Sequence, residues 1–235
     1  MSKVGDHITA KSGSWTFGGR TAKKFKKHIS RSVPLYKEGQ ILTSQFSEFF
    51  ISKNDIVYDL GCSTGELTSK IYDKNKDKKP KIIGIDSEKN MIKQAKIENK
   101  RNGITYICKD ITKFKLKKSN FITSYYTLQF IKPNVRQNVF DKIYKSLNWG
   151  GGFIFFEKVR APDVRFQDYI NQLYFDFKIL NGFSEKEIIA KTKSLKGVLE
   201  PFTTSENLNF LKRAGFKDFV TIQKNLSFEG FLAIK

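Results

Sequence analysis

Asp59-Leu60-Gly61-Cys62-Ser63-Thr64-Gly65 joins an apolar run to an amphipathic stretch, where a strand would hand over to a helix. Glycines at such a turn let the backbone approach a ligand and adopt positive φ. Asp86 closes the next apolar run, 25 residues after Gly61, and an acid there can take both hydroxyls of a ribose. Asp110-Ile111 follows a third run, where an acid or amide can hold an adenine amino group. The turn lacks a full G-x-G-x-x-G and no Walker lysine follows it, so a nucleoside without phosphates fits better than a dinucleotide. Together the pieces read as an S-adenosylmethionine site. Gly61, Cys62 and Ser63 meet the methionine moiety, Asp86 the ribose and Asp110 the adenine. Rival chemistries are poorly supplied. His7 and His28 are the only histidines and Cys62 and Cys108 the only cysteines, too few for a confident metal quartet or a Ser-His-acid triad.

The elements that must position these residues follow from the spacing of apolar positions. Ile56–Leu60, Lys81–Asp86, Ile104–Cys108, Phe121–Tyr126 and Phe153–Glu157 read as strands. Helices are expected over about Thr64–Tyr72, Glu88–Lys100 and Val135–Leu147, the last stopped by Gly150-Gly151-Gly152. Alternation of strand and helix implies a doubly wound, Rossmann-like parallel sheet with helices on both faces. Asp218–Gln223 and Leu226–Ile234 would close it with an antiparallel edge. Residues 1–50 are expected to form a helical extension, residues 51–235 the ligand-binding domain, and residues 158–205 a helical cap inserted in it.

Composition narrows the class. The chain has 235 residues, 22 Phe and 9 Tyr, too aromatic for a disordered coil and long enough for a sizeable core. No apolar run reaches the roughly 18 residues of a membrane span, and the N-terminus lacks the apolar centre of a signal peptide. Two cysteines make no disulfide framework, so the reducing cytoplasm is the expected compartment. The net charge of +20 comes from 36 Lys and only seven Arg spread along the chain. That favours a solvated surface over a dedicated nucleic-acid reader, for which the planar Arg fork is the usual tool.

Longer stretches carry a resemblance. Trp15-Thr16-Phe17, Arg31-Ser32-Val33-Pro34 with Tyr36, Thr127-Leu128-Gln129-Phe130, Asp176-Phe177-Lys178 and Asn181-Gly182 resemble the carboxy-S-adenosylmethionine synthase family. That family sits within the class I methyltransferases. It makes carboxy-S-adenosylmethionine from S-adenosylmethionine and prephenate, for modification of a tRNA wobble uridine. The resemblance implies that Tyr36, Gly61, Asp86, Ser87, Asp110 and Ile111 touch the S-adenosyl ligand. It also implies a homodimer whose helical insertion reaches toward the partner's site.

The chain departs from the family at the reacting end. An Arg that grips the extra carboxylate corresponds to Thr192, an Asn in the ligand-binding strand end to Tyr125, and a His-His pair to Tyr174-Phe175. Ser184-Glu185-Lys186-Glu187 reads as a capping box and Gly197 as a stop. Between them Ile188, Thr192, Leu195 and Leu199 form the expected inward stripe. Lys191 and Lys193, each about 100° round the helix, make poor inward cations. Compensation from Arg160 or Arg165 is the alternative. A carboxylate buried without a cation costs several kcal/mol. The expectation is therefore methyl transfer to a small-molecule acceptor, with Tyr125, Tyr126, Tyr174 and Phe175 as an aromatic wall and Tyr36 over the cofactor. Tyr126, Tyr174 and Glu157 are the candidate catalytic residues. Carboxy-S-adenosylmethionine synthesis is the alternative, and a tRNA-docked binding protein a third reading.

Overall fold

The computed structural model describes residues 2–18 and 21–235. Two short strands, β1 (Ser2–Lys3) and β2 (Thr9–Ala10), pair antiparallel ahead of α1 (Thr21–Ser32) and α2 (Tyr36–Phe50). Then come β3 (Ile56–Leu60), α3 (Glu66–Asn75), β4 (Lys81–Asp86), α4 (Lys89–Glu98) and β5 (Ile104–Cys108). The chain continues through β6 (Ser119–Tyr125), α5 (Pro133–Ser146) and β7 (Leu147–Lys158). After the inserted helices α6 (Val164–Leu180) and α7 (Glu185–Ser194), it ends in α8 (Thr204–Ala214), β8 (Asp218–Asn225) and β9 (Phe228–Ile234).

The large sheet has seven strands in the order β5-β4-β3-β6-β7-β9-β8. The pairs from β5 to β7 are parallel, whereas β9 is antiparallel to both β7 and β8. The strand order reverses between β3 and β6, so a crevice opens beyond their carboxyl ends. Phe140, Phe153, Phe155, Phe210 and Phe231 fill the core under α5 and α8. Ile71, Ile82, Phe121 and Ile154 pack the opposite face under α2 and α3.

Three expectations shift, each for a local reason. Helix α3 starts at Glu66 rather than Thr64, because Gly65 takes a left-handed conformation (φ 78°) and a Cβ there would strike the Tyr106 hydroxyl. Gly150-Gly151-Gly152 does not stop the chain. Strand β7 runs through it, with a register break between Ser119 and Phe121, because the bare Gly152 admits the Phe50 ring against the strand. Residues 2–18 are a hairpin and loop rather than helix. Positive φ at Gly5, Asp6 and His7 (100°, 50° and 58°) turns the chain so that Val4, Ile8 and Trp15 pack near Ala190, Leu195 and Val198.

Candidate active site

A cavity of about 970 Å³ opens over the carboxyl ends of β3, β4, β6 and β7. Its floor is the β3–α3 turn. Gly61 (φ 80°) and Ser63 (φ 51°) turn the backbone, and a side chain at position 61 would run into Thr127. Asp86 sits beside this turn. Its Oδ2 accepts from the Ser63 backbone N–H (2.9 Å) and its Oδ1 from that of Glu88 (2.8 Å). Burial raises the Asp86 pKa, and those two N–H groups oppose the rise. Each oxygen keeps a free lone pair toward the cavity. Ser87, Asp110 and Ile111 line the same side, and Asp110 is oriented by the Thr112 N–H and hydroxyl (2.8 and 2.7 Å). Cys62 lines the cavity with its thiol pushed up by burial.

The aromatic groups divide into two sets. Tyr36 stacks on Tyr126 (6.1 Å between centroids) and meets Tyr125 edge-on (5.1 Å). Tyr125 donates its hydroxyl to the Tyr36 backbone carbonyl (2.6 Å), fixing the start of α2 over the sheet. Tyr126 is held in a left-handed conformation (φ 55°), rare for a bulky residue, and its N–H donates to the Phe156 carbonyl (2.8 Å). Its hydroxyl is buried without a partner among the described residues. Tyr174 stands apart, its hydroxyl spent on the Ser32 carbonyl (2.8 Å). Phe175 lines the cavity but remains exposed.

Glu157, a candidate base, does not line the cavity. Strand alternation turns it to the opposite face, where burial raises its pKa to about 8 against the opposing pull of Arg136 and the Leu128 and Gln129 N–H groups. Lys158 takes the inward position instead. Its Nζ lies 4.7 Å from the Tyr174 ring centroid, and that of Lys178 lies 4.3 Å from the same ring. Lys191, on α7, lies over Trp15 at the same cavity. None of the three meets a carboxylate among the described residues. Burial, reinforced by Arg160, lowers Lys158 to about 8. Burial and Lys158 lower Lys178 to about 7. Burial and Lys178 push Lys191 well below its ordinary value.

These lysines overturn the expectation for α7. The capping box at Ser184 and Glu187 forms, but the inward face carries the buried Ile188 and Ser194 with the half-buried Lys191 and Leu195. Thr192 is exposed at the cavity's edge and donates to the Ile188 carbonyl (3.0 Å). A lysine stem of four methylenes carries its charge inward even from the flank of a helix. Arg160 reaches the cavity, with Nε donating to the Pro201 carbonyl (3.2 Å). Arg165 lies outside it, exposed beside Asp163. Sequence reasoning also missed Asp59 and Gln40, whose Oδ1 and Oε1 are buried, unpartnered and on residues lining the cavity. Asp59 is raised to about 7 by burial, with the Thr68 hydroxyl opposing.

Unpartnered acceptors at Asp59 and Gln40, a free Tyr126 hydroxyl and the Asp86 lone pairs fit a ligand with an ammonium group and a diol, as S-adenosylmethionine has. The relatives agree. A methyltransferase domain model matches residues 57–151. The carboxy-S-adenosyl-L-methionine synthase of Staphylococcus epidermidis is 39% identical over 94% of this chain and 97% of its own length. That of Campylobacter jejuni is 38% identical over 93% of each chain. The chain belongs to the carboxy-S-adenosyl-L-methionine synthase family. Among solved structures, human N-acetylserotonin methyltransferase with S-adenosylmethionine superposes with a TM-score of 0.61 at 19% identity, over 92% of this chain and 56% of that one. A plantazolicin methyltransferase with S-adenosylhomocysteine gives 0.65 at 15% identity, over 91% and 90%. The fold is that of class I methyltransferases, and the protein is an S-adenosylmethionine-dependent transferase. Among the described residues no helix is long and apolar enough to cross a membrane.

Proposed function

We propose that the protein transfers a carboxyl group to S-adenosylmethionine, the reaction its relatives are named for, using an anionic carboxyl donor. The observation that carries this is the unpaired cluster of Lys158, Lys178 and Lys191 in the cavity that also holds Asp86. Three lysine amines gathered in one cavity without a carboxylate among the described residues can hold their protons only at a cost of several kcal/mol unless an anion joins them. A dicarboxylate such as prephenate, the donor the resemblance implies, supplies that charge. Asp86 would hold the ribose, Asp110 and Ile111 the adenine, and the turn Gly61, Cys62 and Ser63 with Ser87 the rest of the nucleoside and methionine. Asp59 and Gln40 would take its ammonium group. Bound S-adenosylmethionine would supply the activated carbon next to sulfur, which gives up a proton as it bonds to carbon dioxide. Prephenate would release that carbon dioxide together with hydroxide as its ring becomes aromatic, the hydroxide taking the proton to form water. Tyr36, Tyr125 and Tyr126 would surround the sulfonium with aromatic faces and keep water out. Tyr174 would act as a ring between two ammonium groups rather than as an acid or base.

The second reading is methyl transfer to a small-molecule acceptor, favoured by the exposed Thr192 where the family has Arg. One experiment separates them. Purified protein is incubated with S-adenosylmethionine and prephenate, and the products are weighed by mass spectrometry. Gain of one carboxyl group on the nucleoside supports carboxyl transfer. Prephenate left intact while an acceptor gains a methyl group supports the second reading. We further infer a homodimer through α6, whose Val164, Tyr169, Leu173 and Leu180 are apolar side chains left exposed. Sedimentation of the wild type against Leu173→Lys tests it, a monomeric wild type counting against it.

A further inference from the structure

At the pole of the sheet opposite the cavity, the chain exposes two aromatic rings among lysines. Trp149 is 88% exposed and Phe49 is 82% exposed. Trp149 sits at the bend before Gly150 (φ 77°), where the Gly150 N–H donates to the Lys235 carbonyl (2.7 Å). Lys235 Nζ donates to the Tyr144 and Leu147 carbonyls (2.7 and 2.9 Å), and Lys118 Nζ to the Lys145 carbonyl (3.0 Å). Burial and the nearby Lys118 both lower the Lys235 pKa, so positive charge is crowded there. Across the same pole, Lys78 Nζ donates to the Glu48 carbonyl (2.8 Å), one residue from Phe49, with Lys79 and Lys81 following. None of these lysines forms an ion pair among the described residues. Of the acids on this rim, Glu48 is paired with Lys74 (3.1 Å) and Asp55 is occupied by the Ser52 N–H (2.5 Å) and the Asn120 amide (2.6 Å), which leaves Asp77 and Asp218.

We propose that this pole is a docking surface for a single-stranded nucleic acid, with Trp149 as a stacking platform and the lysines tracking the phosphates. Stacking suits any base and needs no Arg fork, so a lysine-only surface is no obstacle. Asn148, whose amide donates to Asn120 Oδ1 (2.6 Å), places polar groups beside the indole. A lipid surface is served less well, because the two rings stand on separate elements among amides and charges rather than on one apolar face.

The inference is independent of which group the cavity transfers. Trp149 is one of only two tryptophans, and the other, Trp15, is buried, so quenching of the exposed indole reads the contact directly. A ten-nucleotide oligouridine strand titrated into the full chain is expected to quench that emission. With about four phosphates engaged, affinity should fall about fifty-fold between 50 and 200 mM salt. Read by anisotropy of a fluorescein-labelled strand, because both variants lack the reporting indole, Trp149→Ala should weaken binding about tenfold or more, with Trp149→Phe retaining most of it. Lys118→Gln combined with Lys145→Gln should flatten the salt dependence. All variants should bind S-adenosylmethionine as the wild type does, which certifies their fold. Absent quenching, salt-insensitive binding, equal affinity in Trp149→Ala, or binding to phosphatidylglycerol vesicles without binding to RNA would each overturn the proposal.

Discussion

Lys178 offers a quantitative check on the anionic subsite. Without ligand its amine titrates at about 7, because burial and Lys158 both disfavour the charge. A dicarboxylate binds the ammonium form and so raises that value. The ammonium fraction falls from about 0.9 at pH 6 to about 0.01 at pH 9. Affinity for prephenate should therefore weaken about ninety-fold over that range, or about 2.7 kcal/mol. Between pH 7 and 9, binding should also draw protons from solution. Calorimetry with S-adenosylhomocysteine present, in two buffers of different ionisation heat, measures both effects. Lys178→Met should bind weakly at pH 6 and lose its share of the pH dependence. Affinity that stays flat with pH, or protons released on binding, would refute the reasoning. The sign for the ligand-free chain is opposite. Its stability should rise as pH climbs from about 7 toward the ordinary lysine value, since only the unfolded chain still holds that proton.

Asp86→Ala removes the two acceptors proposed for the ribose and should weaken S-adenosylmethionine binding about a hundred-fold, about 3 kcal/mol, by calorimetry. Tyr126→Phe deletes a buried hydroxyl that has no partner among the described residues. The melting temperature should hold or rise, while ligand affinity drops about five-fold. Glu157→Gln should leave turnover within about three-fold at pH 7, because a carboxyl titrating at about 8 is already mostly neutral there. A loss of orders of magnitude would restore it as a base. Gly61→Ala should cost about 1–3 kcal/mol of stability in denaturant melts, from its positive φ and the collision with Thr127.

The strand ends were legible because chemistry and periodicity coincide there. Gly61, Asp86 and Asp110 each stand at the end of a run whose apolar pattern already names a strand, whereas Asp59, inside its run, did not stand out. The lysines were not legible. In Glu157-Lys158 the alternation of β7 says that one side chain faces the cavity but not which, and the carboxylate was the more familiar choice. On α7 the apolar stripe through Ile188 and Leu195 fits Thr192 and Lys191 about equally. Only the loop carrying Trp15, whose N–H donates to the Ser194 carbonyl (3.1 Å), decides which flank is covered. Lys178 follows Tyr174 by one turn of α6, and what turns that pair into the cavity is the seating of the helix, with the Tyr174 hydroxyl on the Ser32 carbonyl, a contact between distant segments that periodicity does not encode. The glycine run at 150–152 misled for a related reason, since Gly152 leaves room for Phe50, a side chain about 100 residues away.

The N-terminal loop has a consequence for traffic through the cavity. Asp6 is clamped by Arg31 (2.7 Å), whose Nε reaches the Asn181 carbonyl (2.7 Å), and it also receives His28 (3.0 Å). Further along, the loop is tied to α7 without an ion pair among the described residues, by the Gly13 and Trp15 N–H groups and the Ser12 hydroxyl donating to the Lys193 and Ser194 carbonyls and by apolar packing. One end of this segment is thus bolted and the other merely latched. Lifting the latch would take Trp15 off Lys191 and open that flank of the cavity to water, while Asp6 held the start of the loop in place.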